Sequence, residues 1–402
     1  MSREAAYARI REAVQQRAND LLATSHAIHA DPEIRFEEVR ASARLRELLS
    51  EGGFEVRHPV GGLDTAFVAR IAGGAGSAGS GTGSGTGPRV GIVCEYDALE
   101  GLGHACGHNV IATIGAGAGL ALAREMSELA GELSVIGCPA EEGGGGKAYL
   151  LDAGVFDGLN AVTMIHPLSR DLQGWPALAR IGWDVTFRGR PAHAALAPHL
   201  GVNALDAVRL AFAGIDAMRQ QVRPDVRMHG IVTHGGDAAN VVPERAALRL
   251  MVRAAERDYL FEVLIPRARA VMEGAARMTG CEVEIAQVGP AYENLRPNRA
   301  LEERYAELAQ RVGRQPAPVE GLTPGGSTDM GNVSQRVPAL HAYIAIDDEA
   351  EPHTAAFREA ARSPRADQAI VDGAELLACL SYDLLTDAEF RVEVAALHAA
   401  AS

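Results

Sequence analysis

The residues best suited to chemistry fall at five places in the chain. Cys106 and His108 lie one residue apart in GLGHACGHN, residues 101–109. A thiolate and an imidazole at that spacing can meet one metal ion or two adjacent ones, and both suit zinc. Three readings of the stretch compete: a structural zinc clamp, a redox cysteine, or one edge of a catalytic metal site. The clamp lacks a second Cys/His pair nearby, and the redox cysteine lacks a resolving thiol. The other clusters favour the third reading. Glu141 and Glu142 follow the apolar run LSVIGCPA, His166 ends NAVTMIHP, His353 follows VPALHAYIAI, and Asp97 follows RVGIVCEY. Each run reads as a buried strand, and functional groups of open α/β sheets collect beyond the carboxyl ends of strands. Cys106, His108, Glu142, His166 and His353 make five donors. That is too many for one tetrahedral zinc and fits two ions sharing a water. The neighbouring Glu141 is then left to take a proton from that water and return it to a leaving amine. Spacing alone does not decide which glutamate is donor and which is base.

These clusters need a scaffold. Residues 5–24 and a second stretch from about Glu37 to Gly52–Gly53 read as helices, and FEVRHPVGGLDTAFVARIAG as two strands. The Gly/Ser/Thr tract 73–87 is expected to be a flexible loop at the tip of a long hairpin. Strands then alternate with helices, which predicts an α/β fold with a mostly parallel sheet. From IGWDVTFRGR the order changes: strand, helix 202–222, two strands, helix 256–279 and a final strand CEVEIAQVG. This predicts a di-metal catalytic domain of residues 1–178 and 291–402, interrupted by a smaller α+β domain of residues 179–290.

Composition narrows the partners. The 402 residues carry a formal net charge of −14, which disfavours phosphate backbones and so nucleic acid. The five cysteines are scattered with no CxxC pair, as in a reduced cytosolic protein. No signal peptide or 18-residue apolar span is apparent, so a cytoplasmic protein free of membranes is expected.

The motifs EYDALEGLGHACGHN, PAEEGGGG, MIHP, GRPAHAA, GGDAANVVPE, GGSTDMGNVS and PHTAAF stand in order along the chain. Together they resemble the zinc metallopeptidase family that contains carboxypeptidase G, aminoacylases and the auxin-conjugate and hippurate amidohydrolases. The EYDAL…GHN and STDMGNVS forms look closest to the branch holding p-aminobenzoyl-glutamate hydrolase and the β-alanyl-lysine-type dipeptidases. The resemblance implies a hydrolase of an amide bond in a small N-acyl amino acid, dipeptide or aminobenzoyl-glutamate-type conjugate. It implies two divalent ions per subunit, zinc first, with manganese or cobalt as alternatives. Cys106, His108, Glu142, His166 and His353 match the family's ligands and Glu141 its general base. The inserted domain would be a lid that forms a homodimer, with His193 stabilising the oxyanion in a partner subunit's site. Asn240 matches a substrate-contacting lid residue, and Gly325, Gly326 and Ser327 a loop at the substrate's far end. Asp97 is expected to orient a ligand imidazole and His104 to sit behind the ligands. His26 and His29 read as a packed helix face. Many relatives have GHD where this chain has GHN, which leaves the part played by Asn109 open. A non-catalytic metal- or partner-binding protein on the same fold is the alternative.

Overall fold

The structure is a computed structural model that describes residues 2–75 and 87–400. The chain begins with α1 (Arg3–Ala30), α2 (Val39–Glu51), β1 (Glu55–Arg57), β2 (Phe67–Ala72) and β3 (Arg89–Glu95). It continues through α3 (His108–Ala123), β4 (Glu132–Cys138), α4 (Gly146–Asp152) and β5 (Ala161–Leu168). Next come β6 (Ala179–Arg188), α5 (Ala204–Arg219), β7 (Arg227–His234), β8 (Arg245–Ala254), α6 (Ile265–Thr279) and β9 (Glu282–Gln287). The last elements are α7 (Arg299–Arg311), α8 (Met330–Ser334), β10 (Ala339–Ala345), α9 (Ala355–Ala360), α10 (Pro364–Thr386) and α11 (Ala388–Ala400).

The chain divides into two compact units. One comprises residues 1–176 and 295–402, the other residues 177–294. The first holds a six-stranded sheet of order β1-β2-β4-β3-β5-β10. It is parallel from β4 to β10 and antiparallel at β1 and β2. This is the α/β class anticipated from the alternation of strands and helices. α3 packs on the sheet beside α1 and α10. Its small residues allow that approach: a Cβ on Gly115 would lie 2.6 Å from Cys94 Sγ, and one on Gly119 would lie 2.4 Å from Val135 Cγ2. The candidate donors lie at His166 near the end of β5, in the segments following β4 and β10, and between β3 and the start of α3.

The second unit is an antiparallel sheet of order β7-β8-β6-β9 with α5 and α6 against it. Trp183, Phe187, Leu250 and Met272 are among its buried core residues.

Several expectations are corrected. β2 and β3 do not form a hairpin, because β4 lies between them in the sheet. Residues 76–86 of the Gly/Ser/Thr tract lie outside the described residues, and with them the expectation of a flexible loop. The spacing of Cys106 and His108 suggests an extended turn after a strand, whereas His108 is already the first residue of α3. The helix expected over 256–279 begins with a π-helical stretch, Tyr259–Leu264. Part of the Gly-rich loop LTPGGSTDMGNVSQ is helical, as α8.

Candidate metal centre

The site is built where β3, β4, β5 and β10 end. Gly107 takes φ 76° and provides the turn that lets the chain present Cys106 and then start α3 at His108. A Cβ there would meet Pro167 Cγ at 2.5 Å, so no larger residue fits this turn. Two non-glycine residues at the site also take the left-handed conformation: Ala140, just before Glu141, at φ 58°, and His353 at φ 65°. Such backbone costs about 1 kcal/mol or more per residue and persists only where the surroundings impose it. At Ala140 the imposition is visible: its N–H donates to Glu38 Oε1 at 2.9 Å, while Thr65 holds the other oxygen of that buried carboxylate. Burial, reinforced by Asp97, raises Glu38 to about 7.

The structure brings all five expected donors and Glu141 together. Three triads each place their donor atoms within 4.8 Å of one another: Cys106/His108/His166, Cys106/Glu142/His353 and His108/Glu141/Glu142. Cys106, His108 and Glu142 each belong to two of the three triads, so the triads overlap. Cys106 Sγ is 3.4 Å from His166 Nε2, and His353 Nε2 is 3.3 Å from Glu142 Oε1. His108 Nδ1 is 3.0 Å from Asp97 Oδ1, which places a proton on that nitrogen and makes Nε2 the atom that can meet a metal ion. That Nε2 is buried without a hydrogen-bond partner, 3.9 Å from Glu142 Oε1. The pocket favours positive charge at this atom: against the pull of burial, Asp97 and Cys106 raise His108 well above the ordinary imidazole range.

Charge points the same way. Glu95, Asp97, Glu141, Glu142 and Asp329 gather around the donors with one buried ammonium, Lys147. Carboxylates outnumber the one ammonium, so the cluster favours divalent cations. Burial, then Glu142, Glu95 and Asp329, raise Glu141 well above the carboxylate range. Burial also pushes the Cys106 thiol well up, with Glu142 adding to it. Burial lowers His166 to about 4, aided by His108, so it is neutral as a ligand must be. Asp97 stays below its usual value because His108 outweighs its burial.

The remaining expected residues fall as follows. His104 is buried behind the centre, with its ring 6.1 Å from that of His29. His29 Nε2 lies 2.7 Å from the Arg358 carbonyl and His26 Nε2 2.7 Å from Asp367, away from the donors. Asn109 donates to Ser25 Oγ and to the Ala361 carbonyl at 2.9 and 2.8 Å, bonds that hold helices rather than ions. Gly325 and Gly326 are exposed and Ser327 half-buried in a loop fastened to Trp175, whose Nε1 donates to the Thr323 carbonyl at 2.9 Å. Trp175 meets Tyr343 edge-on at 6.1 Å, and Tyr343 lies 5.5 Å from His166, so the loop is linked to the donors through two aromatic rings. His193 and Asn240 are exposed neighbours in the second unit, where Ala194 N–H donates to the Asn240 carbonyl at 3.0 Å.

Sequence reasoning missed Glu38, Glu95, Lys147, Asp329, His341 and Tyr343. The signal for Glu95, Lys147 and His341 was a single polar residue inside an otherwise apolar stretch.

Mixed Cys, His and carboxylate donors at the ends of parallel strands, with a further carboxylate beside them, define a metal-dependent hydrolase. The chain belongs to peptidase family M20/M25/M40, whose model matches residues 93–382. It is 37% identical to the Xaa-Arg dipeptidase of Mus musculus over 94% of this chain and 88% of that protein. It is 33% identical to a p-aminobenzoyl-glutamate hydrolase subunit of Escherichia coli K12, over 75% of this chain and 64% of that one. Its fold matches that of the YxeP protein of Bacillus subtilis, described as a dinuclear metal binding peptidase of the M20 family. The TM-score is 0.64 at 22% identity, covering 90% of this chain and 98% of that one.

Proposed function

We propose that this protein is a two-metal amidohydrolase that cleaves small dipeptides, with Xaa-Arg dipeptides first among its substrates and N-acyl amino acid or aminobenzoyl-glutamate-type conjugates next. The observation that carries the two-metal reading is the overlap of the donor triads on Cys106, His108 and Glu142. The substrate class rests on the 37% identity to the Xaa-Arg dipeptidase.

Cys106, His108, Glu142, His166 and His353 would hold the two ions, with zinc suited to the donors and manganese or cobalt compatible. Bound divalent ions supply Lewis acidity that acidifies water and polarises the scissile carbonyl. Asp97 fixes the His108 tautomer and accepts the Glu142 N–H at 3.0 Å, so one carboxylate orients two donors. Glu141 takes one proton from the attacking water and delivers it to the leaving nitrogen as the C–N bond breaks. Its buried surroundings disfavour its charged form, which makes it a stronger acceptor than a solvated glutamate.

His193 supplies the oxyanion donor. Its Nδ1 accepts the N–H groups of Ala195 and Leu196, both at 3.2 Å, so the ring proton is on Nε2 and available to donate. Asn240 and the loop of Gly325, Gly326 and Ser327 contact the rest of the substrate. The second unit serves as lid and homodimer contact; the exposed Ile231 and Val232 on edge strand β7 support that reading. The test is a panel of Xaa-Arg dipeptides, N-acyl amino acids and aminobenzoyl-glutamate assayed with zinc, manganese or cobalt. Metal-dependent cleavage of a member is expected, and no cleavage at two ions per chain would favour the non-catalytic alternative.

A further inference from the structure

Glu95 ends β3 and is buried, yet its two oxygens have different fates. Oε1 accepts from Lys147 Nζ, while Oε2 has no hydrogen-bond partner and lies 3.7 Å from His108 Nε2, itself without one. Lys147 is fully buried, and its Nζ also donates to Asp329 Oδ1 at 2.6 Å. Its backbone N–H donates to Asp329 Oδ2 at 2.9 Å. Both oxygens of Asp329 are therefore engaged by Lys147, whereas Glu95 keeps one open. One ammonium shared by two carboxylates leaves a net negative charge, and the open oxygen places it against the donor atom of His108. The same lysine joins three segments of the site: β3, the turn carrying Glu141 and Glu142, and the Gly-rich loop that ends at Asp329.

We propose that Glu95, held in place by Lys147, is a positioning residue that sets the charge of the metal centre and tightens binding of the ion at His108. It lies outside the donor triads and acts through its field, not as a ligand. In this buried space Glu95 Oε2 faces the donor atom of His108 over 3.7 Å, so its negative charge favours a cation at that atom. The inference rests on the two-metal reading above.

The two partners should therefore act with opposite sign. Zinc or manganese is titrated calorimetrically into metal-free protein, and the thermal midpoint of that protein is recorded. Glu95→Gln keeps the shape and removes the charge. It should weaken binding of one ion tenfold or more. Lys147→Met leaves two buried carboxylates without their cation, so the metal-free midpoint should fall while ion affinity is retained or increased. Should Lys147→Met fail to fold, Lys147→Met/Asp329→Asn cancels one charge with the other and should bind metal as the wild type does. Unchanged affinity in Glu95→Gln, or equal weakening in the Glu95 and Lys147 variants, overturns the inference. A wild-type protein that binds no divalent ion overturns the two-metal reading instead.

Discussion

Asp97 Oδ1 lies 3.0 Å from His108 Nδ1, and that pairing determines which face of the imidazole is left to bind a cation. Since Asp97 Oδ2 also accepts the Glu142 N–H, the orientation of two donors depends on one buried side chain. Replacing it by Asn lets the amide donate as well as accept and loosens both. Asp97→Asn is expected to lower metal affinity by about 10–100-fold, measured by competition with a chelator.

Glu141 should separate from the donors in kinetics. Glu141→Gln is expected to lower kcat by about 10²–10⁴-fold with little change in KM or in bound metal, because it removes a proton acceptor and leaves the donors in place. Steady-state kinetics on the best substrate, with metal analysis of the same sample, checks both halves.

His193 is expected to act in the transition state. His193→Ala should reduce kcat by about 10²–10³-fold. If the residue serves a partner subunit, mixing Glu141→Gln and His193→Ala chains should recover part of the activity in mixed dimers. No recovery after confirmed subunit exchange would place the residue in its own chain's site.

Asn109 acts as a hydrogen-bond donor, which a carboxylate in its place could not do. Its Nδ2 donates to Ser25 and to the Ala361 carbonyl, and a carboxylate can make neither bond as a donor. Asn109→Asp is expected to destabilise the fold by about 2–4 kcal/mol in denaturant unfolding, with kcat of the remaining folded protein near wild type.

Glu302 gives a pH dependence away from the site. Burial, with Glu320 and Glu303 close by, raises its carboxyl to about 7 from an ordinary value of 4.5. The folded state therefore binds the proton more tightly than the unfolded chain. The associated stability is fully present below about pH 4.5 and is lost as pH rises toward 7. Glu302→Gln should flatten that part of the stability curve by about 3 kcal/mol, read from unfolding midpoints across the range.

Much of this was legible in the sequence because it follows from pattern. Apolar runs ending in Asp97, Glu141, His166 and His353 mark strands whose ends converge, and a parallel sheet brings those ends to one side. What was not legible depends on neighbours far apart in the chain. The β2–β3 connection reads as a hairpin, since nothing in either strand reveals that β4 inserts between them. Glu95, Lys147 and Asp329 are ordinary residues singly and acquire meaning only when burial forces one ammonium onto two carboxylates. Glu38 is similar: its task of holding Ala140 at positive φ requires the two to be neighbours, 102 positions apart.

The central claim is that two ions bind at the donor triads of His166 and His353, which share Cys106. The direct measurement is metal stoichiometry by elemental analysis and calorimetry on wild type, His166→Ala and His353→Ala. Two ions per chain are expected for wild type and close to one for each variant, because each histidine belongs to a different triad with Cys106. A single ion in the wild type, or two ions retained in both variants, would contradict it.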